Sequence, residues 1–97
     1  MEIREFQEVI RKTYYRKDRA RGMDATFLWF VAEVGELAAS LREGKRKDQA
    51  GEFADVFAWL TTLANLSGVD LENALAKYSA GCCGCGAIPC KCRSAKP

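Results

Sequence analysis

Ninety-seven residues allow a single domain, and 48% hydrophobic with 29% charged side chains is the balance of a globular chain rather than a disordered one. The formal charge of +2 is too small to argue for nucleic acid, and the positive excess is supplied by Lys91, Arg93 and Lys96 in the last seven residues. A chain this short buries only a modest share of its surface, so an oligomer or a metal staple is expected to support it.

The opening MEIREFQEVIRK is charged and amphipathic, without the uninterrupted apolar run of a signal peptide or membrane span, and predicts a cytoplasmic protein that does not enter a membrane. Ile3, Phe6, Val9, Ile10, Thr13 and Tyr14 recur at helical spacing and Gly22 is a stop, which predicts a first helix over residues 2 to 21. Its Arg, Lys, Glu and Asp side chains read as a solvated face. Asp24 is the expected cap of a second helix running to about Glu43, ended by Gly44. The short connector GKRKD predicts antiparallel neighbours and places Lys45, Arg46 and Lys47 at one end of the pair. Asp48 is the expected cap of a third helix from Gln49 to about Leu66, closed by Ser67-Gly68. Asp70 then starts a shorter fourth helix with Leu71, Ala74, Leu75 and Tyr78 inward. The fold class is therefore all-α, a four-helix bundle over residues 1–80, followed by an irregular tail over 81–97.

Four carboxylates stand out. Glu33 and Glu36 in FLWFVAEVGELAASL, and Glu52 and Asp55 in GEFADVFAWL, each have i,i+3 spacing inside an apolar helical run, so each pair projects from one helical face. At about 100° per residue, Phe27, Phe30, Val31, Val34, Leu37, Ala38 and Leu41 form one stripe and Trp29, Glu33, Glu36 and Ser40 another. In the third helix Phe53, Val56, Phe57, Leu60, Leu63 and Ala64 separate likewise from Glu52, Asp55, Trp59, Thr62 and Leu66. The apolar stripes are expected to face the core. The acid stripes, each with a tryptophan that a solvated face would not favour, are expected to wall a site or an interface.

After Ala80 the sequence GCCGCGAIPCKCRSAKP carries all five cysteines and no helix or strand pattern. In a reducing compartment that clustering argues for metal ligation over a disulfide framework. Cys82 and Cys85 form a CxxC knuckle and Cys90 and Cys92 a second close pair, a four-thiolate set that suits structural Zn2+; Cys83 is the odd one out, unless it replaces Cys82. An iron–sulfur cluster is disfavoured by the close packing of the ligands.

Grouped acids raise one another's pKa unless a cation balances them. Mg2+ does so with carboxylate oxygens, retained waters and substrate phosphate oxygens, and it acidifies a bound water as phosphoanhydride hydrolysis requires. The chain has no histidine, and no serine sits in a nucleophile-elbow context. Glu33-Val-Gly-Glu36-Leu followed by Glu52-Phe-Ala-Asp55-Val, then Leu71-Glu72-Asn73-Ala74-Leu75 with Lys77-Tyr78, resembles the MazG-type nucleotide pyrophosphohydrolases from about Phe27 to Tyr78. The resemblance implies an all-α dimer or tetramer that uses Mg2+ to hydrolyse nucleoside triphosphates to monophosphate and pyrophosphate. Carried over by position, Glu33, Glu36, Glu52 and Asp55 would bind the metal, one of them or a neighbouring carboxylate would orient water, Trp29 and Trp59 would border the nucleotide, and Lys77 and Tyr78 would contact phosphates. Ala32 stands where many members carry another glutamate, and the cysteine tail replaces their usual Asn- and Arg-containing segment. The competing reading is a non-catalytic, zinc-stabilised helical interaction module. A nucleic-acid adaptor is disfavoured because no aromatic interleaves with the basic tail.

Overall fold

A computed structural model describes residues 1–44 and 46–93. Lys45 and Lys96, and the side chains of Arg46 and Lys47, lie outside the described residues, so the expected basic turn and part of the expected basic tail lie there too.

Four helices, α1 (Ile3–Arg21), α2 (Met23–Glu43), α3 (Arg46–Ser67) and α4 (Leu71–Leu75), are followed by a 3₁₀ turn at Ala76–Tyr78. No strand occurs among the described residues. The fold class is all-α, as the sequence predicts. Two caps differ from expectation. A single residue, Gly22, joins α1 to α2; its φ of 88° is a conformation open mainly to glycine, its N–H closes α1 on Asp18 O and its carbonyl accepts from Thr26 N at the start of α2. Asp24 therefore lies inside the first turn of α2, and Asp48 inside that of α3, where their charge meets the positive helix end without capping it. Asp70 does cap α4, accepting from Asn73 N at 3.2 Å.

The most extensive helix contact is between α2 and α3, followed by that between α1 and α3. Phe6 of α1 meets Phe57 with ring centroids 5.3 Å apart, and Gln7 bridges to Asn65 at 3.0 Å and to the Val69 carbonyl at 2.7 Å. Arg4 pairs with Asp70 and Glu72, anchoring α4 to the start of α1. In α4 and its 3₁₀ turn Leu71 is half-buried, but Ala74, Leu75 and Tyr78 are exposed, so most of the expected inward face is open.

Helix α2 turns most of its expected core stripe outward, and α3 keeps only part of its own inward, with Ala64 buried and Phe57 against Phe6 of α1. The innermost side chains are small and mostly polar: Thr26, Ser40, Thr61, Thr62, Ala64 and, on α1, Ile10 and Asp18. Thr26 and Thr61 satisfy their buried hydroxyls on carbonyls one turn back in their own helix, Gly22 O at 2.7 Å and Phe57 O at 2.8 Å. The expected core stripe instead lies largely open: Phe27 and Phe53 are 52% and 53% exposed, and Val31, Val34, Leu41 and Leu60 are also exposed. Helical periodicity separates two faces without saying which turns inward, and here the acid and tryptophan faces of α2 and α3 turn toward each other.

Candidate functional site

Because α2 and α3 meet along their acid stripes, carboxylates from separate helices converge. One oxygen each from Glu33, Glu36 and Glu52 lies within 4.8 Å of the others. Asp55 stands outside that group, yet its charge acts on both Glu33 and Glu52. Burial, then the charges of Glu36 and Asp55, push the Glu33 carboxyl above its ordinary pKa; the same causes, with Asp48 added, push Glu52 up. Glu33 Oε2 and Glu52 Oε2 are buried with no hydrogen-bond partner.

A polar group held this way is costly unless something else satisfies it. Facing carboxylate oxygens with buried, unspent lone pairs are the donor set of a hard divalent cation, so the residues fit a Mg2+ ion on their own geometry. An adjoining cavity of about 340 Å3 is lined by Glu36, Ala39, Ser40, Glu43, Asp48 and Glu52. Ser40 Oγ is likewise buried without a partner.

The two tryptophans share the same interhelical face. Trp29 and Trp59 stack with centroids 6.2 Å apart and planes 14° from parallel. The Arg21 guanidinium lies 4.9 Å from the Trp59 ring and is itself fixed by Asp18 at 3.1 Å and Thr26 Oγ1 at 3.1 Å. Asp18 is only 3% exposed. Asp18, Arg21 and Trp59, with Tyr14, Lys17 and Asp55, line a second cavity of about 370 Å3. Asp55 connects the acid cluster to a space bordered by cations and an aromatic wall.

Of the residues singled out in the sequence, Glu33, Glu36 and Glu52 come together, Asp55 adjoins them, and Trp29 and Trp59 pair. Lys77 and Tyr78 do not join them within one chain. They engage each other at 5.1 Å on the 3₁₀ turn and line neither cavity, while α3 alone puts roughly 20 Å of helix between Glu52 and the end where α4 begins. Sequence reasoning missed Lys17, Asp18 and Arg21, counted as part of a solvated face, and Tyr14, counted with the periodic stripe of α1; the i,i+3 spacing of Asp18 and Arg21 was visible, but the burial of Asp18 was not. It also took Asp48 for a cap, and saw Glu43 only as the helix end that it is; both also border the acid cavity.

Four thiols form a second cluster. Cys82, Cys85, Cys90 and Cys92 place their Sγ atoms within 4.8 Å of one another, and all five cysteines are free. Backbone N–H groups of Cys85 and Gly84 lower the Cys82 thiol to about 6, and the neighbouring thiols raise Cys92 to about 11.

No helix among the described residues is long and apolar enough to cross a membrane. No curated protein matches the chain. The sequence pattern of the MazG nucleotide pyrophosphohydrolase domain matches residues 21–80, which takes in the whole acid-bearing helix pair and more than half of the chain, and on that match the chain belongs to the MazG nucleotide pyrophosphohydrolase family.

Proposed function

We propose that the protein is a Mg2+-dependent nucleoside triphosphate pyrophosphohydrolase that releases nucleoside monophosphate and pyrophosphate. One observation carries the reading: carboxylate oxygens of Glu33, Glu36 and Glu52 converge from two helices while buried oxygens of Glu33 and Glu52 lack any partner. Bound there, Mg2+ would supply charge neutralisation for phosphate oxygens and an acidified water. Glu33, Glu36 and Glu52 hold the ion. Asp55, outside the three-oxygen group, orients the attacking water and accepts its proton on a carboxylate oxygen. Lys17, which shares the cavity with Asp55, meets the phosphates, a role its position supports better than that of Lys77. Trp29, 55% exposed and braced by Trp59, offers the stacking surface for a base.

The chain works as a homodimer or homotetramer. Support comes from Phe27, Val31, Val34, Leu41, Phe53 and Leu60, whose exposed stripe is the kind of contiguous apolar surface that a partner subunit covers. The expected partner face thus moves from the tryptophan stripe to the apolar one. Five unpaired cysteines suit a reducing cytoplasm.

A pyrophosphate-release assay over a panel of nucleoside triphosphates, with and without Mg2+, tests the reading. Turnover that needs Mg2+ and disappears in Glu36→Gln supports it. Absence of turnover on every nucleotide, from a folded and metal-loaded protein, would favour the non-catalytic interaction module instead.

A further inference from the structure

We propose that Cys82, Cys85, Cys90 and Cys92 form a closed tetrahedral zinc site that folds residues 81–93 and takes no part in hydrolysis. It stands independently of the nucleotide reading, since no acid of the helical cluster belongs to it.

The sulfur geometry supplies the first support. Cys82 Sγ lies 3.4 Å from Cys90 Sγ and 3.7 Å from Cys92 Sγ, and all four sulfurs fall within 4.8 Å of one another. Four sulfurs placed about 2.3 Å from a central ion occupy the corners of a tetrahedron with edges of about 3.8 Å. A disulfide needs about 2.05 Å, so these pairs are well beyond bonding distance while matching the corners of an S4 site. Cys83 lies outside the set, which supports Cys82-x-x-Cys85 as the knuckle.

The backbone provides the second support. Gly84 N donates to Cys82 Sγ, Lys91 N to Cys85 Sγ and Cys92 N to Cys90 Sγ, each at 3.3 Å. Amides turned onto sulfur stabilise thiolate charge that water would otherwise solvate. Gly86 N also donates to Cys82 O at 2.7 Å and Cys82 N to Ala87 O at 3.1 Å, closing the knuckle as a tight loop.

Two glycines make room for that wrap. A side chain at Gly84 would bring its Cβ to 3.3 Å from Cys92 Sγ and 3.7 Å from Cys82 Sγ. At Gly81, with φ +126°, a Cβ would stand 2.5 Å from Ile88 Cγ1 and 2.9 Å from Ala87 O. Apart from its hydrogen-bonded turns the segment has no helix, strand or apolar core, so the common focus of its backbone is the sulfur group. An all-thiolate tetrahedral donor set is soft and selects zinc over the hard cation suited to the carboxylates. With four protein ligands it leaves no position for water or substrate, and its role is structural.

The test uses the full chain, purified under reducing conditions without chelator. Elemental analysis is expected to find about one zinc per chain. Cobalt(II) exchanged into that position is expected to give the intense visible bands of a tetrahedral tetrathiolate complex. Cys83→Ser keeps the metal, while Cys82→Ser and Cys92→Ser each weaken zinc retention against a competing chelator by at least about 100-fold. Gly84→Ala retains all four ligands and still loses zinc faster than the parent. Glu36→Gln keeps the zinc, which separates this site from the hydrolytic one. Zinc loss in Cys83→Ser, zinc retention in Cys92→Ser, iron in place of zinc, or an octahedral cobalt spectrum would each overturn the assignment. Circular dichroism of the helices accompanies every variant, and the cobalt spectrum of the unmutated chain tests for four thiolate ligands in tetrahedral geometry even if a cysteine variant misfolds.

Discussion

At Glu33 a carboxyl sits where its neighbours and its burial both oppose its charge, with Glu36 and Asp55 the chief neighbours. Its raised pKa means that the folded chain holds a proton which the unfolded chain has already lost, once pH passes the ordinary glutamate value of 4.5. The stability tied to Glu33 is therefore complete below that value and is lost as pH rises through the shifted one. Metal-free protein is expected to melt at lower temperature as pH rises from about 5 toward neutrality. Mg2+ at neutral pH should recover that loss, and Glu33→Gln should flatten the dependence; a thermal melt series with and without Mg2+ checks it. Asp70 has the opposite sign, because Asn73 N and Arg4 lower it, so its contribution is lost in acid, below its ordinary 3.8. The catalytic prediction at this scale is that Glu36→Gln or Glu52→Gln lowers Mg2+-dependent turnover by about 100-fold or more, with helicity unchanged. Turnover within a few-fold of the parent in both variants would remove the three-oxygen group from the mechanism. Spacing alone picked out the acids; their unpartnered oxygens, and the unpartnered hydroxyl of Ser40, depend on two helices meeting and were not legible in one of them.

Among the elements, helix extents were the most legible feature. Ile3–Arg21 follows the expected first helix within a residue, and Gly44 ends α2 in the left-handed conformation with φ 69°. Starts were read less well, because Asp24 and Asp48 resemble caps but lie within first turns that begin earlier. Facing was misread on α2 and in part on α3, where Ala64 and Phe57 do turn toward neighbouring helices, since the rule that apolar stripes turn inward assumes that one chain encloses its own core. Two glycines give opposite predictions. Gly22→Ala forces a Cβ into φ 88° and ψ 165° with no atom within 4 Å, so its cost is purely backbone, about 1–3 kcal/mol. Gly51→Ala lies inside α3 in open space and should stabilise by about 0.5–1 kcal/mol. Denaturant titrations of the two variants check both signs.

For the whole molecule, a radius of gyration of 15.7 Å exceeds the roughly 12.5 Å of a compact domain of this length. A chain so open, with large aromatic and aliphatic side chains outside and threonines inside, offers the surface that the proposed assembly would cover. Fully burying a Phe, Leu or Val contributes about 1.5–3 kcal/mol, so covering even a few of the exposed ones outweighs much of the entropic cost of association. Sedimentation is expected to find dimers or larger species at micromolar concentration, and Phe53→Glu with Leu60→Glu to shift them toward monomer. A purely monomeric parent would leave the apolar stripe unexplained. The fold class was legible because the helices carry a period; which apolar face lies open was not, since sequence separates two faces of a helix without saying which turns inward.

The stacked indoles have one more consequence. Trp29 and Trp59 are the only tryptophans in the chain, so its entire indole fluorescence arises within the wall of the proposed site. Two parallel rings 6.2 Å apart also couple their electronic transitions, which makes near-ultraviolet circular dichroism sensitive to their separation and tilt. Occupancy beside them is thus expected to register as a change in emission and in that coupled signal, without any label. Titrating Mg2+ and then a non-hydrolysable nucleoside triphosphate should give two successive optical changes, with the first abolished by Glu36→Gln. The molecule carries its own spectroscopic gauge at the place where its chemistry is expected.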